Sequence, residues 1–582
     1  MYISNYDKEP VIKVDSKKDE AFSGYGDIIN EIKKSINGKD KCIVTVECYP
    51  GVRQDEILTA FANGLSPRMV VSADDYSFSG DRITKMIERE LTDDRVFGVL
   101  TCRDIEEFFD NDLIEKAQKN IEKVDSGIVL IYGVGASLIN KGDILIYADM
   151  ARWEIQQRFR RKELGNWKME NFDEDILKKY KRGFFVEWRI ADRLKKRIFD
   201  NIDYILDTNK YDAPVMATKS AIETAFDKAV SGPFRVVPYF DSGVWGGQWM
   251  KKVCGLDDSV ENYAWCFDGV PEENSLYLQF GEIRMEIPSI DLVFFRPHEL
   301  LGEKVHARFG TEFPIRFDFL DTMGGQNLSL QVHPLTEYIQ QTFGMHYTQD
   351  ESYYILDVDG DTDVYLGLKE GIDRDAFIND LEVAQKGKIP FPADKYVNRF
   401  PAKKHDHFLI PAGTVHCSTT NSMVLEISAT PYIFTFKLWD WDRLGLDGLP
   451  RPVHIEHGKK VIQWDRTTKW VKNNLVGQVK TVDEGDGWKE ESTGLHEREF
   501  IETRRHWFSK ATVHNTNGGV NVLNLVEGRE ALVSSPSGMF EAFTVHYAET
   551  FIVPAMVGEY VIEPCGESEG KEIATIKAYV RN

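Results

Sequence analysis

Four side chains in the second half of the chain have the types and spacing of a metal centre. In LSLQVHP, Leu328–Pro334, Gln331 and His333 are two residues apart. On an extended strand such a pair points to one face. Glu351 opens a second β-type run, ESYYILDVDG, eighteen residues after His333, and His416 follows a Pro-Ala-Gly turn in FLIPAGTVHC. Two imidazoles, a carboxylate and an amide oxygen form an N/O donor set that suits a divalent ion with an open coordination position, zinc first. Spacing alone leaves another reading open, because histidines on half-buried strands are commonly satisfied by ordinary hydrogen bonds. His405 and His407 share the strand spacing and form a rival pair, read as a surface approach to the Pro-Ala-Gly turn. All thirteen histidines lie between His298 and His546, so imidazole chemistry belongs to this half.

The elements that must position these residues are strands. From about residue 234, short alternating runs such as LYLQF, DVYLGL, HFLIP and VLEIS are separated by turns rich in Gly, Asp and Pro, the pattern of a sandwich or barrel. A helical insertion is expected around 373–384. The polar stretch 481–499 reads as a linker, followed by a smaller β domain over 500–582. Residues 1–230 read differently. CIVTVE, MVVSAD, GIVLIYG and DILIYADM are apolar runs alternating with helical stretches, which predicts an α/β domain around a parallel sheet. Ser231-Gly232-Pro233 closes it.

Composition bounds the partners. A chain of 582 residues predicts about three or four domains at roughly 100–200 residues each. A net charge of −23 argues against a nucleic-acid binder, which needs a cationic face. No window approaches a membrane span, and the first residues lack the charged and apolar regions of a signal peptide. Seven scattered cysteines without CxxC spacing suit a reducing cytoplasm.

Residues 234–582 resemble the class I mannose-6-phosphate isomerases in their short bacterial form. The matching pieces are collinear: FDSGVWGGQWMKKVCG, FPIRFDFLDTMGGQNLSLQVHP, IPAGTVH, VLEIS, TFKLWDWDRLGLDGLPRPVHI, NLVEG and a late IVPA. The resemblance implies two cupin-like (jelly-roll) β domains with a metal site in the first, 234–480. It implies His333, Glu351 and His416 as ligands of one zinc ion, with Gln331 as a further ligand. It implies interconversion of mannose 6-phosphate and fructose 6-phosphate through a cis-enediol. Ser329, Gln349 and Lys437 fall at substrate-binding positions, and Lys437 and Arg443 at catalytic ones. The sequence departs from the family twice. Lys437 stands where the family has arginine, which keeps the charge but loses the planar fork. Thr348-Gln349-Asp350-Glu351 replaces a lysine-bearing segment and adds a carboxylate that would repel phosphate. A non-catalytic phosphosugar sensor, or an isomerase of a related sugar, is the alternative.

Residues 1–230 resemble P-loop kinases of the uridine kinase and phosphoribulokinase type. CYPGVRQDEI follows the first apolar run, VSADDYSF the second, and DILIYADM leads into a helix with Arg158, Arg160 and Arg161. The phosphate loop is damaged. Gly51 survives, Arg53 takes the lysine's place, and no hydroxyl for Mg²⁺ follows. Gly51, Arg53 and Asp74 are the expected nucleotide-facing residues of a degenerate, kinase-like scaffold.

Overall fold

The computed structural model describes residues 4–15, 19–387, 389–430, 432–446, 448, 451–497 and 499–581. They form two compact units, one of residues 11–228 and 275–291, the other of the remaining segments.

The first unit is built on a seven-stranded sheet. Its order is Ala21–Ser23, Val215–Thr218, Tyr204–Asp207, Ile144–Asp149, Lys41–Cys48, Gly127–Gly133, Met69–Ser72. The last five strands run parallel, and Val215–Thr218 runs antiparallel to both of its neighbours. The parallel strands are the apolar runs of the sequence, buried because helices such as Gln54–Leu65, Asn111–Glu122 and Lys219–Val230 cover the sheet. Asn111–Glu122 is capped by Asp110, whose carboxylate accepts from two first-turn amides.

The domain boundaries differ from the sequence reading in one place. Residues 275–291 belong to the α/β unit, not the β domain. Ser275–Phe280 pairs in parallel with Val11–Val14 and returns through Gly281 as Ile283–Pro288. Alternation identifies such a hairpin as β, but not which sheet it joins.

The second unit contains four antiparallel sheets. In the first β domain a six-stranded sheet has the order His407–Ile410, Asp350–Val358, Ser422–Ala429, Arg316–Asp321, Trp265–Gly269, Tyr239–Asp241. It faces a five-stranded sheet of Val397–Pro401, Asp363–Leu368, His416–Ser418, Leu330–Val332 and Phe436–Trp439. The helical insertion is present as Arg374–Gln385, with the Asp373 side chain capping its first turn.

The smaller β domain packs a six-stranded sheet on a four-stranded one around Phe508, Leu523, Val533, Phe551, Tyr560 and Ile562. Its edge corrects the linker expectation. Lys480–Gly485 and Trp488–Ser492 form a hairpin paired to Ile501–Phe508. The outer strand is solvent-exposed throughout, so its composition is polar. Asp486-Gly487, with Gly487 at φ +77°, supplies the hairpin turn.

Candidate metal centre

The two sheets of the first β domain bring three of the four candidate ligands together in its interior. Leu330–Val332 lies between His416–Ser418 and Phe436–Trp439, with Gln331 paired to His416 on one side and to Lys437 on the other. Directly paired residues share a face, so Gln331, His416 and Lys437 stand side by side, and His333 follows Gln331 on the same face. Glu351 comes from the opposite sheet, where it pairs with Ser428 and Ile410.

His333, Glu351 and His416 are fully buried. Each offers a ligand atom within 4.8 Å of the others. His333 Nε2 is 3.0 Å from Glu351 Oε2, and His416 Nε2 is 2.8 Å from Glu351 Oε1. Both Nδ1 atoms are anchored on backbone carbonyls, His333 on Phe434 and His416 on Thr414, at 2.8 Å each. Donation from Nδ1 fixes the tautomer and turns the Nε2 lone pair inward. Among the described residues, His333 Nε2 and Glu351 Oε1 are buried without a well-aligned hydrogen-bond partner. Two imidazole nitrogens and a carboxylate that converge in the interior fit a cation, and the donor set is that of a divalent N/O site.

Charge couples the three side chains. Burial alone would raise the Glu351 carboxyl, but His333 and His416 hold it well below the usual carboxylate range. Burial pulls His333 down and Glu351 outweighs it, so the imidazole is raised.

The supports are specific. Gln349, expected to touch substrate, clamps the ligands instead. Its amide donates to Glu351 Oε2 at 3.0 Å and accepts the Phe434 N–H at 3.0 Å. Since Phe434 O holds His333, one buried amide orients two ligands. Asp350 accepts the Ala412 N–H at 2.7 Å, fixing the Pro-Ala-Gly turn, and Arg466 binds the Pro411 and Ala412 carbonyls of that turn. Gly413 has φ +87°, and its N–H reaches the His333 carbonyl.

The other expected residues divide between the ligand face and separate contacts. Gln331 reaches to 3.2 Å of His416 Nε2. Lys437 is half-buried beside Gln331. Ser329 Oγ and Arg443 Nη2 both bond Asp440 Oδ1, at 2.7 and 2.6 Å, and Arg443 also binds the Asn327 and Asp440 carbonyls. The Arg443 fork is therefore used in a structural knot. The rival histidines belong elsewhere. His407 is buried, not superficial, and bonds Ser352 Oγ; burial then Arg505 lower it to about 3. His405 meets Tyr354 and Glu527.

The sequence reading missed the acidic lining. Glu426 and Asp318 pair across the inner face of the six-stranded sheet, with Tyr353 opposite Glu426. Burial, then Glu351 and Asp318, push Glu426 well above its ordinary range. Burial raises Asp318 to about 6 against the pull of Arg316. Glu499 is buried with both carboxylate oxygens unpartnered; burial first, then Asp350, raise it.

In the α/β unit the loop at Gly51 is filled by protein. A Cβ there would meet Ile155 at 2.8 Å. Arg158, expected on a lid, is buried, donating to the carbonyls of Gly51, Thr208 and Asn209. Arg53 pairs with Glu163 at 2.8 Å. Asp74 accepts from Trp167 Nε1, and its carbonyl takes Lys168 Nζ.

Residues 24–231 match a family model described as a domain of unknown function (DUF8485). The chain is 25% identical over 231 residues to the probable mannose-6-phosphate isomerase GmuF of Bacillus subtilis, covering 40% of this chain and 68% of that protein. It is 24% identical over 245 residues to the mannose-6-phosphate isomerase of Streptococcus mutans, covering 41% and 71%. For ManA of B. subtilis the identity is 28% over 154 residues, only 45% of that protein's length. The crystal structure of the mannose 6-phosphate isomerase from B. subtilis aligns with 60% of this chain and all of its own, at 17% identity and a TM-score of 0.48.

Proposed function

We propose that the chain is a metal-dependent aldose–ketose isomerase that interconverts mannose 6-phosphate and fructose 6-phosphate through a cis-enediol. The observation that carries this reading is the buried triad, in which backbone carbonyls anchor both imidazoles at Nδ1 and each Nε2 faces one oxygen of the Glu351 carboxylate. Relatives named mannose-6-phosphate isomerases support the substrate class. His333, Glu351 and His416 would hold one divalent ion, zinc first, with Gln331 beside them. When bound, the ion supplies Lewis-acid polarisation of the sugar oxygens.

The chain's own groups supply the rest. Lys437, on the ligand face, stabilises negative charge developing on the sugar as a point charge. Glu426, on the opposite inner face, is the acid/base group that carries the proton between C1 and C2. Gln349 and the Phe434 carbonyl hold the ligands in register. For the α/β unit we infer a kinase-like scaffold with a degenerate phosphate loop, supported by its parallel strands and by Arg158 on the Gly51 carbonyl.

The test is a coupled assay for fructose 6-phosphate formed from mannose 6-phosphate by the purified full-length protein, with other phosphorylated aldoses in parallel arms. Turnover of mannose 6-phosphate supports the reading. Bound metal with no turnover of any phosphosugar contradicts it.

A further inference from the structure

The smaller β domain encloses a cluster of polar side chains between its two sheets. The inner face of its six-stranded sheet changes character along the strands. At one end Trp488, Phe508 and Ile573 pack in the apolar core. Two residues further along, register sets Glu490, His506 and Thr575 side by side, and beyond them Ser492, Arg504 and Lys577. The facing sheet contributes His514, paired with the core residue Tyr560. The His514 ring stacks on Tyr560 at 5.3 Å and meets His506 at 4.5 Å.

The cluster does not satisfy its own polar atoms. Among the described residues, both ring nitrogens of His514, Nδ1 of His506 and Oγ1 of Thr575 are buried without a hydrogen-bond partner. Lys577 is 7% exposed; its ammonium lies over the Tyr579 ring, 5.7 Å from the centroid, and makes no hydrogen bond or ion pair among the described residues. Burial draws Lys577 down to about 8, with Glu490 pulling the other way. The carboxylates nearby are engaged. Glu490 lies 3.4 Å from His506 Nε2 and 3.6 Å from Arg504, and Glu502 bonds Arg504, Arg581 and Ser492.

A buried cation and buried unpaired polar atoms are costly unless a partner is supplied. Lys577 can only donate, so the missing partner is an acceptor. A metal ion is disfavoured by Lys577 and Arg504, and among the described residues three-ligand convergence occurs at His333, Glu351 and His416, not here. We propose that this cluster is a binding site for a small oxyanion, the phosphate or carboxylate group of a metabolite, held by Lys577, Thr575, His506 and His514. Charge-assisted bonds from the ammonium supply most of the affinity, and the hydroxyl and imidazoles complete the shell.

The experiment is calorimetric titration of the full-length protein with inorganic phosphate and, separately, acetate. It is repeated on Lys577→Met, Thr575→Val and Lys437→Ala. Removing an unpaired buried charge should leave Lys577→Met melting no lower than the parent, so lost binding cannot be ascribed to lost folding. The expected result is binding that weakens about tenfold or more in Lys577→Met, severalfold in Thr575→Val, and survives in Lys437→Ala. Preference for phosphate identifies a phosphoryl ligand, and preference for acetate a carboxylate. Failure of both anions to bind at millimolar concentration overturns the proposal. So does binding that Lys577→Met leaves unchanged. The outcome is independent of whether the triad isomerises a sugar.

Discussion

Replacing Gln349 with leucine isolates the role of one buried amide. The side chain keeps its volume and loses both hydrogen bonds, the donation to Glu351 Oε2 at 3.0 Å and the acceptance from Phe434 N–H at 3.0 Å. A bond to a charged group contributes ~1.5–3 kcal/mol, and a factor of ten in affinity is ~1.4 kcal/mol. If that bond serves chiefly to orient the carboxylate, metal affinity falls roughly 10–100-fold, as for other supports of metal ligands. The stranded Phe434 N–H separately costs about 1–3 kcal/mol of stability. Because Phe434 O also holds His333 Nδ1, the two losses arise in one variant. Zinc affinity would be read by competition with a chromogenic chelator, and stability by thermal melting of the chelated protein. A lowered melting temperature with unchanged zinc affinity would refute the argument, since Gln349 would then be a packing residue only.

Three further outcomes are expected. Lys437→Ala should lower turnover by ~10²–10³ with metal content intact, while Lys437→Arg keeps or raises activity; steady-state kinetics with metal analysis checks both. Glu426→Gln should lower kcat by ~10²–10⁴ with little change in zinc affinity if it carries the proton, and unchanged kcat removes it from the mechanism. Burial raises Glu47 to about 7 while it accepts the Gly135 and Ser137 N–H groups. Its contribution to stability is therefore complete below the ordinary glutamate value and is lost as pH rises through about 7, on the order of 3 kcal/mol. The melting temperature of Glu47→Gln relative to the parent should rise between pH 5 and pH 8, and a flat difference contradicts this sign.

Metal ligands are legible in a sequence because few residue types serve and the strand period fixes which share a face. Residue type and spacing nominate Gln331, His333, Glu351 and His416 but equally admit the His405/His407 pair, and only the collinear isomerase-like motifs choose between them. The supporting groups carry no such signal. Gln349 and Asp350 precede a ligand in a segment where substrate contact and ligand support look alike. Ser329 and Arg443 take their expected roles from position in a motif, whereas Asp440 draws both into a structural knot. Glu426 escapes notice because Ser422–Ala429 is buried throughout, so alternation no longer separates inner from outer residues. The same loss of contrast hides the hairpin at 480–492, whose exposure makes a strand read as a linker. The pairing of 275–291 with Val11–Val14 joins segments far apart in the chain, and no local pattern reports it.

The central claim is that the buried triad is a metal centre on which activity depends. Metal content and mannose 6-phosphate isomerase turnover should be measured in one preparation as purified, after chelation, and after return of zinc, with His333→Ala alongside. The account predicts about one metal per chain, turnover lost with the metal and restored with it, and neither in His333→Ala. Full turnover by metal-free protein, or metal retained at full occupancy in His333→Ala, would contradict it.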